Sequence, residues 1–463
     1  MELLMKRLWF RAAKGLNVKY DPVRLLYNPD DGVQWLAVAY NIDLDGTGRV
    51  SRRKGYTDTV ITDPVHSLWS AGGICLFVKG GKLCSLGNDF GYIELASVGT
   101  ERRVGYTLVG QDVFWSNGVE KGVIRAGVSS DWLVPESVYG PESTRRYISP
   151  PAGSILGSYR GRIYVINGKV AWHTEPYGPN LVDPVRGFLP FGAEIEMFQP
   201  VEHGIYVGTS ECVWFLRGES PLEFTWEVAY DNRAVFGSGC RIQLDRVFKE
   251  LQGTGIMWVS PDGICLGLPD GRVMNLTRDT LVFEVGTRAA AGLLSDRYIC
   301  TLPDTDEGVL TLIYNIPVGG CYQYLNYNFN SYANFAGRKL GAGDNGIKIL
   351  DSGDKDGSSY IQAMFTLPPT DFGYAGTKSI RFLDVSFEAN REIMIMPIAD
   401  EINGHEIEVV PSDYRNRQIT QKVPVGRYLR GRYFGLVVEN IEGGDFSIDL
   451  ITAELAGLLP ASK

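Results

Sequence analysis

Histidine is scarce in this chain: four in 463 residues, at positions 66, 173, 203 and 405. None stands at metal-ligand spacing from another. His173 and His203 are the pair that neighbouring strands can bring together, and a structural histidine is the competing reading. The seven cysteines contain no CxxC pair, and their number is odd. Several lie inside apolar runs, as Cys265 does between Ile264 and Leu266, so buried free thiols in a reducing compartment are expected. No GxSxG elbow, P-loop or dinucleotide fingerprint is present. No stretch approaches the roughly 20 apolar residues of a membrane span. The first residues, MELLMKRLWFRAAK, lack the apolar core of a signal peptide. Synthesis in, and retention by, a cytoplasm is the expectation. Basic excess is missing too. The formal net charge is −9, which excludes a general nucleic-acid coat. Long amphipathic runs of helical period are also absent.

Near misses for chemistry fail on inspection. Asn41-Ile42-Asp43-Leu44-Asp45-Gly46 starts like a calcium loop, but its twelfth position is Arg52, where a bidentate glutamate is required. A turn between strands is the better reading, and turn chemistry equally explains Asp351, Asp354 and Asp356. No carboxylate pair marks a glycosidase. No catalytic residue, cofactor site or metal site is therefore assigned.

What the chain does have is glycine (55), tyrosine (24) and tryptophan (9), the composition of many short strands joined by tight turns. The clearest is Arg162-Ile163-Tyr164-Val165-Ile166, an Asn167-Gly168 turn, then Lys169-Val170-Ala171-Trp172-His173-Thr174. Cruder copies recur. Anchored at Ile74, Val113, Ile163, Ile205, Ile256 and Tyr298, they repeat at intervals of roughly 40–50 residues, the period of a β-propeller blade. The 33–54 hairpin is expected to complete a seventh blade with strands from 321–350. A string of unrelated hairpins in a large sandwich is the alternative, since WD and kelch signatures are missing. Past a polar linker near 351–359 the strands lengthen. Leu383, Val385 and Phe387 alternate with Asp384, Ser386 and Glu388, the pattern of a half-buried strand. About seven such strands in ~100 residues predict a sandwich.

The predicted fold is thus all-β: an N-terminal arm (1–30), a six- or seven-bladed β-propeller (31–352) and a C-terminal β-sandwich (353–463). Two basic clusters are the candidate assembly contacts. One is Lys6, Arg7, Arg11 and Lys14; the other is Arg415, Arg417, Lys422, Arg427, Arg430 and Arg432. A solvated face is the alternative for both, and DNA contact a further one for the second.

Three phrases, YRGRIYVINGKVAWHTEP, HGIYVGTSECVWFLRG and KVPVGRYLRGRYFGLVVENIEGGDFSIDLITAE, together with DPVRLLYNPDDGVQWLAVAYNIDLDGTGRVSRRKGY near the N-terminus, resemble structural proteins of tailed bacteriophages. Among these the chain is similar to the propeller-containing tail nozzle or tail-tube proteins of short-tailed phages. The resemblance implies no enzyme and no cofactor. It implies a ring homo-oligomer, a hexamer, seated below portal and adaptor and beside other tail proteins. Genomic DNA passes transiently through the lumen. The location implied is the virion tail, made in the host bacterial cytoplasm. An acidic chain suits a lumen that guides DNA without gripping it, and the basic clusters suit contacts between subunits or with the adaptor. A tail-tip or host-receptor-binding propeller is the alternative, with the C-terminal sandwich as a carbohydrate-binding module. A propeller hydrolase is the third reading.

Overall fold

The computed structural model describes residues 4–25, 31–99, 102–135, 146–246, 251–306, 308–415, 417–426 and 428–457. Among them the helical pieces are short 3-10 turns at Pro22–Arg24 and Leu244–Arg246. Between residues 65 and 324 the chain makes six successive four-stranded antiparallel meanders: 65–97, 105–131, 155–190, 195–230, 240–275 and 290–324. These are blades 1 to 6 of a β-propeller. Every sequence anchor from Ile74 to Tyr298 falls on the second strand of its blade.

The second strands read as continuous apolar runs because both of their faces are covered by neighbouring blades. In Arg162–Asn167, Ile163 and Val165 pack toward blade 2 with Phe114 and Leu156. Tyr164 and Ile166 point the other way, to Phe198 and Ile205 of blade 4. The period-2 alternation of a strand thus feeds two interfaces at once. The hairpin closes one residue later than Asn-Gly suggests. Asn167 pairs with Val170, and of the two central residues only Gly168 has positive φ (60°), the pattern of a II′ turn.

A further sheet closes the ring. Ser331–Phe335, Arg338–Gly343 and Gly346–Leu350 stack on blade 1, with Leu340, Ala342 and Ile347 against Cys75, Phe77 and Cys84. Its next strand comes from the other end of the ring: Tyr56–Asp58 pairs antiparallel with Gly346–Leu350. The expected closure by the 33–54 hairpin is therefore corrected. Ile42–Leu44 and Val50–Arg52 instead extend a sandwich sheet, where Ile42, Leu44 and Val50 are buried in its core.

The sandwich draws on both ends of the chain. One sheet runs Ile419–Pro424, Lys378–Ala389, Phe446–Gly457, Val50–Arg52, Ile42–Leu44, with Leu4–Phe10 also paired to Phe446–Gly457. The other contains Val38–Tyr40, Met364–Thr370, Phe434–Asn440 and Ile393–Ala399. It is not separate from the propeller. Gly320–Tyr324, the outer strand of blade 6, pairs parallel with Val38–Tyr40, making one ten-stranded sheet. Blade and sandwich consequently share one core, in which Cys300 and Tyr322 belong to the same cluster as Phe365, Leu436 and Phe446.

Two expected boundaries are corrected by this arrangement. Residues 4–16 are no free arm, since Trp9 and Phe10 are fully buried and Phe10 packs on Phe365. Residues 33–52 belong with the sandwich rather than the propeller. The approach is close: a Cβ at Gly320 would sit 2.0 Å from the Lys14 carbonyl. The predicted linker is also structured, for Lys355–Asp356 and Ser359–Tyr360 add two strands to the closing sheet.

Candidate assembly surfaces

The structure brings members of the two basic clusters onto one sheet face. Lys6 lies opposite Glu454 in the strand register and makes ion pairs with Asp384 (2.9 Å) and Glu454 (3.2 Å). Lys422, on the far side of the same sheet, donates to both Glu454 oxygens at 2.8 Å and lies over the Phe382 ring. Hydrogen bonding to Lys422, with Lys6 adding to it, holds the Glu454 carboxyl below its usual range, and Asp384 raises the Lys6 ammonium. These two lysines are largely spent inside the molecule. Arg7 is half-buried, and Arg11 and Lys14 are exposed. Arg415 pairs with Asp413 at 2.9 Å. Arg417, Arg430 and Arg432 are exposed and form no salt bridge among the described residues. Arg427 lies outside the described residues.

The most charged part of the interior escaped sequence reading. Where sandwich, blade 6 and closing sheet meet, Arg53 is fully buried and makes a two-point contact with Asp356 (2.8 and 2.5 Å). Its Nε donates to Asn41 Oδ1 at 2.8 Å, and the rings of Tyr324 and Tyr327, edge-to-face with each other, each lie 5.0 Å from the guanidinium. Burial lowers the guanidinium's affinity for its proton, but Asp356 outweighs it and the pKa is raised. A buried cation is tolerable only when paired and hydrogen-bonded throughout, as this one is. Beside it, Arg297 bridges Asp43 (2.7 Å) and Asp351, and Lys339 reaches Asp351 at 2.5 Å. Burial pushes the Asp351 carboxyl up; the two cations win and hold it below its usual range. A cleft of about 750 Å³ opens on this network, lined by Asp43, Arg52, Lys54, Arg297, Lys339 and Asp351 among others. Asp43, first seen in a calcium-like run, is thus an ion-pair partner, and Asp45 serves a turn, accepting from Thr47 N (2.8 Å) and Arg49 N (3.1 Å).

The propeller pore is lined by the first strands of the blades, including Trp69, Thr107, Glu196, Gln199 and Arg241, around about 610 Å³. That volume suits a small molecule. Arg103, entering blade 2, reaches across the pore to donate to the Ala289 carbonyl (2.8 Å) before blade 6 and to the Asn330 carbonyl before the closing sheet. It has no carboxylate partner among the described residues, and burial lowers its pKa. It acts as a crossbar.

His173 is buried beside Arg162 (Nη1 to Nδ1 3.5 Å) and packs on Tyr164. Among the described residues no group of three or more His, Cys, Asp or Glu is arranged to hold a metal. All seven cysteines are free, five of them buried.

No protein-family profile and no curated protein sequence matches the chain. Similar solved structures are of remote sequence. The extracellular domain of a one-component system from B. thetaiotaomicron aligns at 10% identity and TM-score 0.44, covering 79% of this chain and 48% of that one. The chain therefore spans about half the length of that relative. The WD40 propeller of Doa1 aligns at 13% identity and TM-score 0.41, covering 65% of this chain and 96% of that one. The CNH domain of AfRom2 gives 9% identity and TM-score 0.40, covering 64% and 96%.

Proposed function

We propose that the chain is a structural subunit of a bacteriophage tail, a nozzle or tail-tube protein that forms a ring below portal and adaptor and contributes to the DNA-ejection channel. One observation carries this reading beyond the sequence resemblance: the ten-stranded sheet that runs unbroken from blade 6 through the sandwich. A hinged two-domain binder needs no such sheet; a part that must keep its shape under load benefits from one. In this reading the pore of a single propeller, crossed by Arg103, is a sealed core, and DNA travels in the lumen between subunits. No residue is assigned chemistry.

Mass photometry and electron microscopy of the purified protein, alone and mixed with its portal and adaptor, test the proposal. A closed ring with an open lumen is the expected result. A chain that stays monomeric beside both partners overturns it. The tail-tip reading is favoured by one feature, the pore of small-molecule size lined by Trp69, Gln199 and Arg241. Binding of host polysaccharide to the monomer, with no ring under any condition, would select it.

A further inference from the structure

A blade's outer strand offers an unpaired edge, and such edges invite association unless covered. Two of them are covered here. Val38–Tyr40 pairs with the outer strand of blade 6, and Tyr56–Asp58 with that of the closing sheet. Among the described residues, blades 1 to 5 have no strand beyond Tyr92–Ser97, Val128–Asp131, Phe188–Pro190, Thr225–Tyr230 and Val273–Asn275. Large apolar side chains are exposed on several of these edges. The densest group lies on blades 3 and 4, across the ring from the sandwich. There Trp226 (37% exposed) packs tilted against Phe191 at 4.8 Å and meets Trp214 edge-on at 6.1 Å. Val228, Phe188 and Leu222 (78% exposed) flank it.

The same rim is acidic. Glu219, Glu223, Glu227 and Asp231 are all exposed. Glu219 and Glu227 are met by Arg160 (3.1 Å) and Arg217 (3.3 Å), whereas Glu223 and Asp231 form no salt bridge among the described residues. The sandwich carries the opposite surface on its own open edge. Ile419–Pro424 pairs with Lys378–Ala389 on one side and, among the described residues, with no strand on the other. Around it stand Arg417, Arg430 and Arg432, with Tyr414 and Tyr428 (96% exposed). Tyrosine, tryptophan and arginine are the side chains that anchor protein interfaces.

We propose that these two surfaces bind each other between copies of the chain: the acidic, tryptophan-bearing rim of blade 4 docks on the arginine–tyrosine edge of the next copy's sandwich. The inference rests on the ring reading above and names its contact. Charge complementarity selects a second copy as the occupant. Because the patches differ and lie on different parts of the molecule, the contact is head-to-tail, the kind that closes into a ring when the rotation permits.

Reversing either patch in the full-length protein tests it. Glu223→Lys with Asp231→Lys, or Arg417→Glu with Arg430→Glu, should each weaken self-association about tenfold or more in sedimentation velocity at low salt. The loss should shrink as salt rises. Mixing the two variants is the decisive arm, because each then meets a complementary surface on the other; assembly should return only in the mixture. If the reversed chains fail to melt like wild type, Glu223→Gln and Arg430→Gln with the same association readout replace them. Wild-type rings that persist unchanged in both variants overturn this contact while leaving the ring reading intact. Reversal at Arg417 and Arg430 that abolishes DNA retention but spares self-association also overturns it, and assigns the edge to nucleic acid. A wild type that never associates overturns the ring reading itself.

Discussion

His173 illustrates how the hairpin that dominates the sequence works at the level of one side chain. It was weighed as a metal ligand, and it is a packed ring whose environment resists charge. Burial pushes its pKa down to about 4, from an ordinary value of 6.5. Between those values the unfolded chain binds a proton that the folded chain refuses. The stabilisation from a neutral His173 is therefore complete above pH 6.5 and is lost progressively as pH falls toward 4. At pH 5 the loss is on the order of 2 kcal/mol, from about 1.4 kcal/mol per unit. Urea unfolding at pH 7 and pH 5 should show His173→Gln losing less stability than wild type by about that amount. Equal losses in the two proteins would remove His173 as the source. Other single residues were illegible for a plain reason. Arg52-Arg53-Lys54 reads as the charged exit of a hairpin, and only the fold reveals that both arginines are buried and that Arg53 has its partner 303 positions away. Arg103 meets carbonyls 186 and 227 positions away. No local pattern encodes such distances.

At the level of elements, blades were readable because each is a local meander whose strands follow one another in sequence. Ile163-Tyr164-Val165-Ile166 needs nothing beyond its neighbours to declare itself. The sandwich was readable only in its later strands, because four of its strands lie at the other end of the chain. By sequence, residues 1–30 read as an arm because Lys6, Arg7, Arg11 and Lys14 stand out as charge. The decisive residues are Trp9 and Phe10, both fully buried, with Trp9 edge-on to Phe372 at 5.0 Å. Deletion of the first residues would on the arm reading spare the fold. In the observed register it removes a strand and two large core side chains. Trp9→Ala should cost about 3–5 kcal/mol in urea unfolding, and a chain lacking residues 1–16 should be recovered unfolded or aggregated. A truncated chain that melts like the full-length protein would restore the arm.

At the level of the whole molecule, the question is whether propeller and sandwich are two folding units or one. Two domains joined by a linker usually melt apart, each with its own core. Here the links are structural. The ten-stranded sheet crosses the boundary through Gln323 and Tyr40. Arg53 and Asp356 pair beneath the rings of Tyr324 and Tyr327. The strand Tyr56–Asp58 leaves the sandwich to complete the sheet that seals blade 1 to the end of the propeller. Opening the sandwich would strip blade 6 of its outer neighbour and leave Arg53 as an uncompensated buried charge, a penalty of several kcal/mol. Opening the ring would pull on the same sheet from the other side. Neither half has a stable intermediate in which only the other is lost. Differential scanning calorimetry of the monomer should therefore give a single transition with calorimetric and van't Hoff enthalpies in agreement. Asp356→Ala, by leaving Arg53 unpaired, should lower that transition as a whole rather than split it. Two resolved transitions in the wild-type protein, one surviving removal of the sandwich strands, would show the propeller to be independent and the shared sheet to be a contact without mechanical consequence.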